Sequence, residues 1–134
     1  MKTAMAVAAA TLALGTLVAC EPAPPPTLFT VTSTAATPDH TPGDGVCEAT
    51  PGSADCTLPA AVTEANAVVG PAAVGRAIVS VPAGTYTGVD LVVTGAVDLN
   101  WGAPAAVTLV DSSITVAAGG AARVEGISTA AHAQ

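Results

Sequence analysis

Between Ala77 and Ile127 the chain offers six short apolar runs in succession: 77–81, 88–93, 96–101, 106–110, 113–116 and 122–127. Each carries Val, Leu or Ile and is bounded by Gly, Asp, Ser or Pro, the usual punctuation of short strands. Several alternate strictly, as Val97, Leu99 and Trp101 do against Asp98 and Asn100. Hydrophobic residues make up 51% of the 134 but aromatic residues only 2%. Burial must therefore come from many small aliphatic side chains stacked in layers rather than from a bulky aromatic centre. Strand starts recur about every 7 to 12 residues, so three strands make a coil of roughly 20–30 residues, within the range of solenoids. The expected fold is mostly β: a short right-handed parallel β-helix, with about two to three coils in residues 71–134. An antiparallel sandwich also uses evenly spaced short strands. Asn-Gly and Asp-Gly hairpin turns are missing between these runs, which speaks against it.

The start of the chain reads as an export signal. Lys2 supplies a positive charge, an uncharged apolar run follows from Ala4 to Val18, and Leu17-Val18-Ala19-Cys20 closes it. The run is shorter than the ~20 residues of a membrane span. Leu-Val-Ala-Cys resembles the bacterial lipobox, which implies that residues 1–19 are removed and that Cys20 becomes the lipidated first residue. Pro22, Pro24, Pro25 and Pro26 then make residues 20–27 an extended spacer of about 3 Å per residue. The expected location is an exported protein, lipid-anchored to a bacterial membrane at the cell surface or in the periplasm. The membrane is its partner through Cys20. The net charge of −7, with Arg76 and Arg123 isolated from one another in sequence, leaves no basic patch and excludes nucleic acid as a partner.

Residues 28–70 read as a cap. Phe29 and Val31 alternate with threonines in a half-buried strand. A turn-rich segment from Pro38 to Cys47 follows. With Cys20 assigned to lipid, Cys47 and Cys56 remain as a pair that an oxidising compartment favours joining. Leu58, Ala61, Val62, Ala65 and Val69 form the stripe of an amphipathic helix, with Thr57 as N-cap, Pro59 in the first turn and Gly70-Pro71 as the stop. Such a helix is a plug whose apolar face must cover something. Asp39, Asp44, Glu48 and Asp55 are hard oxygen donors suited to calcium, but their spacing fits no twelve-residue metal loop. They read as turn carboxylates, and no metal or other cofactor is expected.

Cys-Thr-Leu-x-x-Ala-Val-x-x-Ala-Asn at 56–66 resembles the CSLREA domain, the N-terminal cap of secreted bacterial parallel β-helix proteins. Phe-Thr-Val-x-Ser-Thr at 29–34, Pro-Gly-Asp-Gly-x-Cys at 42–47 and Val-Pro-Ala-Gly-Thr-Tyr at 81–86 fit the same pattern. The resemblance implies a cap role and supports the disulfide, and implies no activity. Pro59-Ala60 stands where that family usually has Arg-Glu.

Catalysis is not expected. Asp90, Asp98, Asp111 and Glu125 are the carboxylates that a polysaccharide-cleaving groove would use, but each also suits an outward or turn position. Arg76 and Arg123 read as surface residues, the latter pairing with Glu125. His40 and His132 belong to no catalytic set. The ligand candidates are Trp101 and Tyr86, as sugar-stacking rings, with Asp98 and Asp111. The expected role is structural or adhesive; a fragment of a polysaccharide lyase or glycoside hydrolase, or a glycan-binding module, are the alternatives. The tail from Ser128 to Gln134 carries no capping pattern. The chain is therefore expected to be the first part of a longer β-helix, or to meet a surface polysaccharide or partner protein at an open end.

Overall fold

The computed structural model describes residues 23–70, 75–102 and 107–125. The signal segment and Cys20, with the first part of the tether, lie outside the described residues, as do His132 and the rest of the tail. The described chain is mostly β, with one helix and eight short strands. In order these are β1 (Thr27–Thr30), α1 (Leu58–Val69), β2 (Ala77–Val81), β3 (Gly84–Thr87), β4 (Asp90–Val93), β5 (Ala96–Trp101), β6 (Val107–Val110), β7 (Ser113–Val116) and β8 (Ala121–Glu125).

Every pairing between these strands is parallel, which removes the antiparallel sandwich. From β2 onward each strand pairs with the one three places later. The result is one sheet of order β1-β2-β5-β8 and two pairs, β3-β6 and β4-β7. Ala77 stands beside Val97 and Val97 beside Ala122, while Gly84 meets Val107 and Asp90 meets Ser113. Aligned columns of side chains follow from this register. Phe29, Val79, Leu99 and Val124 stack on the inner side of the four-stranded sheet, and Leu28, Ile78, Asp98 and Arg123 form a column on its outer side.

The period of two explains the layering. Strand β2 buries Ala77, Val79 and Val81, β5 buries Val97, Leu99 and Trp101, and β4 buries Leu91 and Val93. These residues form one core with Phe29, Val31, Tyr86 and the apolar stripe of α1. Two expectations need correction. Gly84–Thr87 is a strand, which Gly84 and Pro82 had obscured; with β3 counted, three strands complete each repeat. The core is also not free of aromatics, because Phe29, Tyr86 and Trp101 are all buried in it. In a small aliphatic core each large ring fills space that several valines would otherwise occupy.

Helix α1 keeps the bounds that its stripe sets. The Thr57 hydroxyl accepts from the Ala60 amide at 3.1 Å, and Gly70 closes the other end with its amide donating to the Asn66 carbonyl at 2.8 Å. The stripe Leu58, Ala61, Val62, Ala65 and Val69 is buried against the strands. Its last residue packs so closely that a Cβ at Gly95 would lie 2.5 Å from Val69 Cγ2. Only glycine lets the helix end approach the β4–β5 turn this far.

Candidate functional site

The most constructed region of the molecule is the cap, where the sequence from 31 to 57 folds with almost no apolar core of its own. Cys47 and Cys56 are joined, as expected, and Cys56 is buried. The chain leaving β1 runs beside this linkage. Thr32 donates its amide to the Cys56 carbonyl at 2.7 Å and accepts the Cys56 amide on its hydroxyl at 3.0 Å, and Ser33 bridges Thr57 in parallel. The Thr57 hydroxyl also donates to the Thr37 carbonyl. One hydroxyl thus caps the helix and ties the loop to it.

The four carboxylates weighed for calcium are occupied by turn amides. Asp39, itself buried, accepts from Thr41 at 3.0 Å and from Glu48 at 2.9 Å. Asp44 accepts from Val46, and Glu48 from Gly52. Asp55 accepts from the Thr50 amide and hydroxyl and from the Ser53 hydroxyl. The Ser53 hydroxyl, then the Thr50 amide, hold the Asp55 carboxyl below the usual carboxylate range. Among the described residues no three His, Cys, Asp or Glu side chains are grouped to hold a metal ion. His40 meets the neighbouring Thr41 hydroxyl at 2.9 Å and is exposed.

Two cap residues were not singled out for a role by sequence reasoning. Glu64 is fully buried, and its two oxygens accept the amides of Gly43 and Gly45 at 2.5 Å each. Both glycines have positive φ, +97° and +86°, which turns their amides toward one point. Ala60, one turn before Glu64, is buried as well. The helix therefore has two covered faces, one on the strands and one carrying Glu64 and Ala60. The signal was present as Gly-Asp-Gly upstream of an acidic residue placed off the apolar stripe.

Asn66 is the second residue. Its side-chain amide donates to the Val92 carbonyl at 2.6 Å, and its oxygen accepts from Thr94 at 2.9 Å and Gly95 at 3.2 Å. Strand β4 has β7 on one side only. On the other side the Asn66 carboxamide offers a donor and an acceptor where a neighbouring strand would offer a peptide group. Pro59, Val62, Thr63 and Asn66 line a shallow cleft with Asp90 and Val92 at this junction.

The remaining candidates do not converge. Tyr86 and Trp101 are core residues with no ring face to offer a sugar. Tyr86 donates its hydroxyl to the Pro82 carbonyl at 3.0 Å, and burial pushes its pKa above the ordinary 10.0. Trp101 Nε1 has no hydrogen-bond partner among the described residues. Asp98 lies in the outer column of the four-stranded sheet, 3.1 Å from the Arg76 guanidinium, with Arg123 beside it on β8. With Ile78 and Asn100 these residues line a second shallow cleft. Arg76 is thus an ion-pair partner and not a lone surface charge; a pair this exposed contributes about 0–1 kcal/mol. Asp90 accepts from the Ser113 hydroxyl at 2.7 Å, and Asp111 is an exposed turn residue with φ +48°. The Glu125 side chain, and with it the expected Arg123–Glu125 pair, lies outside the described residues. Among the described residues no helix is long and apolar enough to cross a membrane. No family model matches this chain, and no curated protein or solved structure is similar to it.

Proposed function

We propose that the chain is the capped start of a right-handed parallel β-helix of the CSLREA type, displayed from a bacterial membrane by lipid on Cys20. Its role in this reading is structural or adhesive. The observation that carries the reading is the pairing of β2, β3, β4 and β5 each with the third strand after it, always in parallel, beneath a helix packed at one end. A chain that advances one strand spacing per three strands is winding into a coil. The disulfide, the Thr57 cap and the Asn66 carboxamide all serve to fix a helix where the first complete coil would otherwise expose its core. A catalytic role has less support, because the carboxylates are dispersed: Asp39, Asp44, Glu48 and Asp55 hold turns, Asp90 holds Ser113, and Asp98 pairs with Arg76.

The test is to express the chain in a bacterium with labelled palmitate, beside a Cys20→Ser variant. The reading expects the wild-type chain to be labelled, membrane-bound and without polysaccharide-depolymerising activity, and the variant to be unlabelled and released. Equal release of both versions overturns the anchor. Depolymerisation that disappears in Asp98→Asn overturns the structural role.

A further inference from the structure

Strand β4 pairs with β7 on one side only. The direction of its backbone groups follows from parity, because in a parallel ladder a residue turns its amide and its carbonyl to the same neighbour. Val89 and Val93 give their carbonyls to Ser113 and Ala117 on the β7 side at 2.9 Å each, so Asp90 and Val92 face the other way. There Asn66 acts as one residue of a missing strand. Its amide donates to the Val92 carbonyl at 2.6 Å, and its oxygen accepts the Thr94 amide at 2.9 Å. A residue of a parallel neighbour makes this same pair of bonds, to the carbonyl of one residue and the amide two places on. One step earlier the corresponding groups, the Asp90 carbonyl and the Val92 amide, meet no partner among the described residues. The space beside them is the cleft between α1 and β4, walled by buried Val62 and Leu91, by Val92, which is 52% exposed, and by the exposed Asp90.

We propose that this position takes one residue of an extended peptide from a partner protein, laid parallel to β4 and stopped at Asn66. The proposal goes beyond the structural role and depends on neither the anchor nor the number of coils. The central residue of the peptide donates its amide to the Asp90 carbonyl and accepts the Val92 amide, so the peptide adds as a short strand to an open edge. Register then sets the side chains. The central residue lies beside Leu91 and turns inward, where a small apolar group suits the contact with Val62 and Leu91. The residue before it stands beside Asp90 and the residue after it beside Val92, both outward. Asp90 accepts the Ser113 hydroxyl at 2.7 Å and keeps further acceptor sites. Arg76 is engaged with Asp98 of β5, and Arg123 lies in β8, so both described arginines stand at the four-stranded sheet and away from Asp90. Charge and register together select the segment: Lys or Arg, then Ala, then Val or Ile.

The test titrates the isotope-labelled full chain with the peptide acetyl-Ser-Lys-Ala-Val-Ser-amide and reads the Val92 amide resonance. A saturable shift is expected, with the Val92 amide becoming protected from exchange as the peptide binds. N-methylation of the central Ala removes the donor to the Asp90 carbonyl without touching the protein, and weakens binding about tenfold. Replacing the peptide's Lys by Glu weakens it about threefold. Asp90→Lys in the chain reverses that preference, and its spectrum checks that the variant is folded. No saturable shift, equal binding of the N-methylated peptide, or a charge preference indifferent to Asp90→Lys overturns the proposal. Overhauser contacts in the free chain from the Val92 amide to residues 1–22 or 71–74 overturn it as well, since the chain would then fill its own edge.

Discussion

The two ends of the strand stack are built from similar residues and finished in opposite ways. At the helix end, Phe29 and Val79 occupy the same inner column as Val124 at the far end, yet only Val124 is exposed. The difference is not hydrophobicity, since the far rim is as aliphatic as the near one. It lies in the number of polar devices invested in the near end: a disulfide, a buried Glu64 holding two loop amides, a doubly bonded Thr57 and the Asn66 carboxamide. Sealing a coil requires answers for strand-edge amides and carbonyls as well as for apolar area. At the helix end Asn66 supplies that answer for β4 and its turn, while Glu64 and Thr57 satisfy the covering loop; among the described residues the rim has no such side chain.

The comparison is sharpest within one column. Val79→Ala removes two methyl groups from a site packed between Phe29 and Leu99, and should destabilise the fold by about 2 kcal/mol. The same change at Val124, which has Leu99 on one side, should cost about 0.5 kcal/mol under conditions where the chain is monomeric. Urea denaturation of both variants measures the pair. Equal losses would show that the rim is as well packed as the centre, and the contrast between the ends would fail.

Next in size is the polar half of the contrast. Asn66→Ala leaves the Val92 carbonyl and the Thr94 amide without their partner and should destabilise by about 1–2 kcal/mol. Hydrogen exchange locates the loss: the Thr94 and Gly95 amides should exchange faster in the variant, while Ala77–Val81 on the other sheet should not respond beyond the global change. Uniform acceleration would mean that Asn66 contributes only helix propensity, and that the cap seals by apolar cover alone.

Much of this architecture was legible in the sequence, and the reasons are local. The bounds of α1 followed from Thr57, the Leu58–Val69 stripe and Gly70, because cap and period act within a few residues of one another. Six of the later strands followed from short Val-rich runs, and Cys47 with Cys56 from counting. Strand β3 was lost because Gly-Thr-Tyr-Thr carries one large apolar side chain, so no alternation can be seen in it. The parallel register was reachable only by inference from missing hairpin turns, since register is a relation between residues 20 or more apart. Glu64 was hidden for a related reason. An acidic residue on a helix reads as solvent-facing until the loop that covers it is known, and Gly43 and Gly45 lie about twenty residues upstream. Tyr86 and Trp101 misled in the opposite direction, since a scarce aromatic in an acidic chain looks like a ligand surface when composition alone is weighed.

Tyr86 gives the smallest effect and separates the column from its hydrogen bond. Its ring lies in the sealed part of the stack beneath Leu109 in the next rung, and its hydroxyl reaches the Pro82 carbonyl. Tyr86→Phe keeps the ring and removes the hydroxyl, so near neutral pH it should cost about 1 kcal/mol or less. The pH dependence carries more information. Burial raises the folded-state pKa above 10.0, so the folded chain holds the phenol proton after the unfolded chain has lost it. The stabilisation is therefore complete below pH 10.0 and declines as pH climbs from there through the folded value. Tyr86 is the only tyrosine in the chain. Thermal unfolding followed from about pH 8 to about pH 11 should show a falling midpoint in the wild type and a flatter one in Tyr86→Phe, so that the two curves converge or cross. Parallel curves would mean that the phenol reaches water in the folded state, and that the stack is already open at its second column.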